Sequence, residues 1–208
     1  VVVHEIVGNL ATEEGVATVL ADLQGRPEVV DSSAHGWSLP RRIETLGAPV
    51  NLNVALPCDA DLMSENDTMT VVRLPFVPPP AVVLGEPQVL EAVDAEESPI
   101  ALSQFRTLLW RMSISTRLSG FACAPRVVLD DFDVLDAWAS RTHWQHLLVR
   151  LPTPVPVEPG DTIQLALHAD LRSLPTLHVF EAAVLRAPSP HQVGLQEPLG
   201  CVRVQLRQ

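Results

Sequence analysis

Apolar residues in this chain arrive in short runs cut by proline and glycine, and the first run differs from those after it. "VVVHEIVGNLATEEGVATVLADL" begins with apolar residues that hardly alternate, which predicts a strand over 1–7 buried on both faces. Thr12 is placed to cap a helix from Glu13 to about Leu23, with Val16, Val19, Leu20 and Leu23 along one face. From Ser38 onward the pattern is strand-like. "LGAPVNLNVAL", "DTMTVVRLPFV", "PAVVLGEPQVLEAV", "FRTLLWRMSIS", "LSGFACAPRVVLDDFDVL", "HWQHLLVRLP", "DTIQLALHADL" and "LHVFEAAVL" are separate stretches, and "GCVRVQLR" reads as a last strand. Strands this frequent predict a mainly β fold, an antiparallel barrel or sandwich of roughly 9–11 strands.

Turn chemistry agrees with this reading. Glu158-Pro159-Gly160-Asp161 is a type II turn sequence, because proline fixes φ and glycine takes the positive φ. The polar, acidic stretch "LPCDADLMSEND" (56–67) reads as a solvated loop.

Composition narrows the function. The formal charge of −11 argues against nucleic acid, whose phosphates need a basic face, and favours a basic peptide. Cys58, Cys123 and Cys201 are widely spaced, which predicts free or buried thiols in a reducing compartment. No run approaches the ~18 apolar residues of a membrane span, and no basic region precedes the first apolar run. The expected setting is cytoplasmic. Val1 in place of an initiator methionine predicts that other sequence precedes it.

Three constellations carry chemistry. Glu5 at a strand exit and Glu14 nine positions on are costly to bury unless a cation meets them, and a guanidinium matches paired carboxylates in bidentate hydrogen bonds. The plainer reading has Glu5 ending a strand while Glu13 and Glu14 favour a helix dipole. In "THWQH", His143 and His146 have a metal-like spacing, but on a strand their rings face opposite sides and no further ligand clusters nearby. Trp144 reads either as a half-buried strand-edge ring or, with His143, as a pocket rim facing a cation. Arg41 and Arg42 read as a solvated basic pair. No G-x-S-x-G, G-x-G-x-x-G or P-loop sequence occurs.

Together these stretches resemble the protein arginine methyltransferases. "HEIVGNLATEE" resembles that family's double-glutamate loop, with Glu5, Gly8 and Glu14 at the matching positions. "WSLPRRIETLGAPV" resembles the passage from the methyl-donor domain into the β-barrel. "TVVRLPFVPPPAVVLGEPQVL" and "VEPGDTIQLAL" resemble barrel strands of the branch making symmetric dimethylarginine, and "THWQ" resembles the threonine-histidine-tryptophan loop of the asymmetric branch.

The resemblance implies a division at residue 37. Residues 1–37 would be a strand-helix remnant of a Rossmann-like domain that binds S-adenosylmethionine, and 38–208 a β-barrel for substrate and interactions. It implies methyl transfer from S-adenosylmethionine to arginine in a peptide or protein, with Glu5 and Glu14 as catalytic and substrate-binding acids and His143 and Trp144 as further substrate contacts. The donor-binding motif is absent from this sequence, so the chain alone is expected to be inactive and not to bind the donor. No metal is implied. A homodimer of the whole enzyme is compatible with the family, although no dimerisation arm is evident. The alternative within the same fold is a non-catalytic protein-binding or scaffolding module.

Overall fold

The computed structural model describes residues 1–52, 69–172, 174–187 and 196–204. The acidic loop 56–67 and Cys58 lie outside them. Two antiparallel sheets make most of the structure. One holds six strands: β3 (Arg42–Val50), β4 (Thr70–Leu74), β5 (Gln88–Asp94), β7 (Thr116–Val128), β8 (Val134–Asp136) and β9 (His146–Val157). The other holds β6 (Ser103–Arg111), β10 (Thr162–Asp170), β11 (Leu177–Leu185) and β12 (Gln196–Val204), in the order β12-β11-β10-β6. In the larger sheet the main path is β4-β9-β7-β3-β5, with β8 added to β7.

The sheets face each other across one core and approach along β5 and β6 and again where β12 nears β4 and β9. The result is sandwich-like, without a ladder among the described residues that closes it into a barrel. Leu118, Phe121 and Cys123 from one sheet meet Leu165, Leu167 and Phe180 from the other. Burial holds the Cys123 thiol strongly towards its protonated form. Gly160 takes φ 94°, and the Asp161 N–H donates to the Glu158 carbonyl at 3.0 Å, as the type II turn requires.

The amino-terminal segment departs from expectation. Only β1 (Val2–Val3) is a strand, paired in parallel with β2 (Ser38–Leu39). It is not buried on both faces, since Val3 is 72% exposed. The chain bends out of it where the Val7 N–H donates to the Glu5 carbonyl at 2.8 Å. Helix α1 (Val16–Gln24) starts three residues later than expected, behind Gly15 at φ 83°, and Thr12 does not cap it. No acid lies in its first turn, so Glu13 and Glu14 do not serve a helix dipole. Val16, Ala17 and Leu20 join the sandwich core, while Val19 is 39% exposed.

The basic pair is not simply solvated. Arg41 pairs with Asp131, and Arg42 with Glu44 at 2.7 Å and Asp94 at 3.6 Å. Glu44 is buried and also receives Arg126 at 2.5 Å, so two guanidinium groups compensate one desolvated carboxylate between β3 and β7. No helix among the described residues is long and apolar enough to cross a membrane.

Candidate functional site

The loop between β1 and α1 is shaped by Glu13 turning inward. Its carboxylate accepts the backbone N–H groups of Asn9 (2.8 Å) and Leu10 (3.1 Å). The side chain lies against Gly8, where any Cβ would overlap the Glu13 chain. Burial pushes the Glu13 carboxyl pKa up, and the two amide bonds oppose that shift. Glu13 is therefore a brace for the loop. The other two acids of the segment stay accessible, Glu5 exposed and Glu14 half-buried.

A second set of polar contacts fixes the loop to the sandwich. The Thr12 hydroxyl donates to Glu91 Oε2 at 2.8 Å, while His178 Nε2 lies 3.1 Å from both that oxygen and Thr12 Oγ1. A proton on Nε2 satisfies all three contacts. Thr45 donates to the other Glu91 oxygen at 2.6 Å and accepts the Ala11 N–H at 2.8 Å. All four side chains are buried. Burial pushes the Glu91 carboxyl upward, but the His178 charge and the bonds from His178, Thr45 and Thr12 outweigh it, leaving its pKa below the ordinary value. One loop is thus tied to β3, β5 and β11 through buried groups that keep their partners.

The turn before β9 closes the site from the far side. The Trp144 indole N–H donates to the Val7 carbonyl at 2.8 Å, and the Gln145 N–H donates to Asn9 Oδ1 at 2.7 Å. His143 stacks obliquely on Trp144, with ring centroids 4.3 Å apart. Between the two loops lies a cleft of about 460 Å³ lined by Glu5, Glu14, His143 and Trp144, with Val7, Gly8, Asn9, Glu13 and Gln145. Glu5, Glu14, His143 and Trp144, the four residues the resemblance assigns to substrate, all line this one concavity, whereas Arg41, Arg42 and His146 do not.

The two histidines of "THWQH" part company. His143 is exposed in the turn, whereas His146 opens β9 and is buried, its ring edge-on to Trp138 at 4.9 Å. Burial lowers the His146 pKa to about 4, so the ring is neutral near pH 7. No group of three or more metal-capable side chains occurs among the described residues.

Asn9, Gln145 and the Thr12–Glu91–His178 cluster were not anticipated. A signal for the last existed: His178 lies on the inward register of β11 with Phe180, Ala182 and Val184, and a polar residue on that register calls for a buried partner. Chemically, the cleft offers two accessible carboxylates and an indole ring, a combination suited to a cation with a flat hydrogen-bonding head and an apolar stem.

Solved structures show the same architecture. The chain superposes on Arabidopsis thaliana protein arginine methyltransferase 10, crystallised in an open conformation, with a TM-score of 0.66 and 14% identity, covering 95% of this chain and 69% of that one. It superposes on the Trypanosoma brucei PRMT1 enzyme–prozyme heterotetrameric complex with AdoHcy with a TM-score of 0.63 and 10% identity, covering 97% and 67%. No family model and no curated protein matches the sequence. The chain has the fold of the corresponding part of the protein arginine methyltransferases.

Proposed function

We propose that this chain supplies the arginine-binding site of a protein arginine methyltransferase. The observation that carries the proposal is the division of labour in "ATEE": Glu13 is consumed by the loop amides, while Glu14 faces the same cleft as Glu5. A substrate guanidinium between Glu5 and Glu14 donates to both carboxylates, and its aliphatic stem runs past Trp144. The acids fix the plane of the group and draw its positive charge to the nitrogens they hold. The remaining nitrogen points away from them, which is the orientation a methyl transfer needs. His143 lines the rim and shields one side of the stem.

S-adenosylmethionine is the methyl donor in this reading and supplies an electrophilic methyl group. The residues of the cleft are assigned to the arginine, and none to the donor. Because arginine recognition needs only the groups present, a non-catalytic arginine-binding module would use the same cleft.

Titration of the chain with a glycine-rich peptide containing one arginine tests the proposal. Binding is expected to fall about tenfold or more with Glu5→Gln or Glu14→Gln, as for loss of a charge-assisted hydrogen bond, and with lysine in place of the arginine. Equal affinity for the arginine and lysine peptides would overturn it. Addition of the donor, with product read by mass spectrometry, separates transfer from binding alone.

A further inference from the structure

The turn that walls the acid cleft also walls a second one. On its other side His143, Trp144 and Gln145 join Arg141, Thr142, His146 and the segment Leu74-Pro75-Phe76-Val77 around a cleft of about 320 Å³. The two clefts share three residues and so adjoin along this turn, within the reach of one extended peptide.

The chemistry of the second cleft is different. One wall is apolar, with Leu74 buried and Phe76, 38% exposed, presenting a ring where the strand β4 ends, while the opposite wall carries the polar side chains Arg141, Thr142, His143 and Gln145. At its base Leu74 pairs with His146 across the β4–β9 ladder. His146 is buried, and its Nε2 has no hydrogen-bond partner among the described residues. Being neutral near pH 7, the ring adds no charge beside the apolar wall of Leu74, Pro75, Phe76 and Val77. Arg141 lines the rim as the only charged group among the described residues of this cleft, and like charge disfavours an arginine or lysine there.

We infer that this second cleft is a specificity subsite, which takes a large apolar side chain, aromatic by preference, from the same peptide whose arginine enters the acid cleft. The inference rests on the arginine reading above and deepens it. The volume is at the small end of ligand pockets and suits a single side chain. Ring-against-ring contact with Phe76 and Trp144 favours an aromatic occupant. The substrate is then a peptide with an apolar residue close to its arginine, and a run of basic residues is disfavoured at that point despite the acidic charge of the whole molecule.

Fluorescence anisotropy with labelled peptides tests this. The base peptide is glycine-rich with one arginine, and a set carries one phenylalanine within about three residues of it on either side, the reach of an extended chain between adjacent clefts. At least one register is expected to bind about fivefold or more tightly than the base peptide, in line with filling an apolar pocket. Phe76→Ala, and independently Val77→Asp, should remove that gain and leave the base peptide within about twofold, with an unchanged amide spectrum showing that the variants fold. If no register gains while Glu5→Gln still weakens the base peptide, the subsite is wrong and the arginine reading stands. If a gain persists in both variants, the phenylalanine binds elsewhere and the subsite is again wrong. If the base peptide binds no better than its lysine counterpart, both fall together.

Discussion

The indole N–H of Trp144 donates to the carbonyl oxygen of Val7 across 137 residues of sequence, at 2.8 Å. The bond holds one wall of the cleft to the other, since Val7 belongs to the loop of Glu5 and Glu14. Trp144→Phe keeps an aromatic ring and removes the donor, leaving a carbonyl without this partner. A loss of about 1 kcal/mol in stability is expected, together with faster hydrogen exchange at residues 7–10. Unchanged exchange there would mean that the ties from Glu13, Thr12, Thr45 and Gln145 hold the loop without it.

Glu13 and Glu5 should respond in opposite ways to the same change. Glu13→Gln puts an amide N–H₂ against backbone N–H groups and forfeits one of two acceptors, so thermal stability should fall by about 1–3 kcal/mol. Glu5→Gln changes an exposed side chain and should leave stability within about 0.5 kcal/mol. Peptide affinity should follow Glu5. Thermal melts and titrations of the two variants check both halves.

Thr12→Val tests the buried cluster, because the replacement has the same shape and lacks the hydroxyl. Glu91 would keep His178 and Thr45 but lose its third partner, at a cost of about 1–3 kcal/mol. The Glu91 pKa is depressed, so the stability it contributes is present above the ordinary value of 4.5 and is lost as pH falls through the lower folded value. Glu91→Gln should flatten that acid limb of a denaturation series. An identical limb in the variant would place the acid sensitivity elsewhere.

His146 gives a separate pH signature. Its pKa falls from 6.5 to about 4 because burial disfavours the charged ring. Below pH 6.5 the unfolded chain takes up a proton that the folded chain refuses until about pH 4, so stability declines as pH falls through that window. The full effect is about 3 kcal/mol. His146→Phe should remove the decline and be near neutral at pH 7, since Nε2 has no partner among the described residues to lose. Urea denaturation at several pH values reads both.

Most of the sandwich was legible because its strands are short apolar runs cut by proline and glycine; β3 and β7 are buried almost throughout, and others alternate. In β10, Ile163, Leu165, Leu167 and Ala169 face inward while Thr162, Gln164, His168 and Asp170 are less buried. "PAVVLGEPQVLEAV" was harder to parse, since its first residues form a short 3-10 turn at Pro80–Val82 and only the last half is strand. Glu5, Glu14, His143 and Trp144 could be nominated from the sequence, and the structure brings them to one cleft. Thr12 was misread because its side-chain partners lie 79 and 166 residues away, where no local pattern reaches. Its resemblance to a cap was real in sequence, but a buried carboxylate outcompeted the helix end. The late start of α1 has the same origin: with Glu13 bent back onto Asn9 and Leu10, the chain is still turning at residue 14 and straightens only behind Gly15.

Gly8 takes an ordinary backbone conformation, so it is required for room and not for turning: the space where its side chain would stand is filled by Glu13. The two positions therefore share a fixed volume, and a side chain gained at 8 requires one shortened at 13. Such an exchange would also withdraw the acceptor that folds Asn9 and Leu10 back, and Glu14 would lose its aim. The glycine three places after Glu5 is thus a cast of the glutamate that braces the loop, and it records in the sequence how its neighbour Glu14 is held.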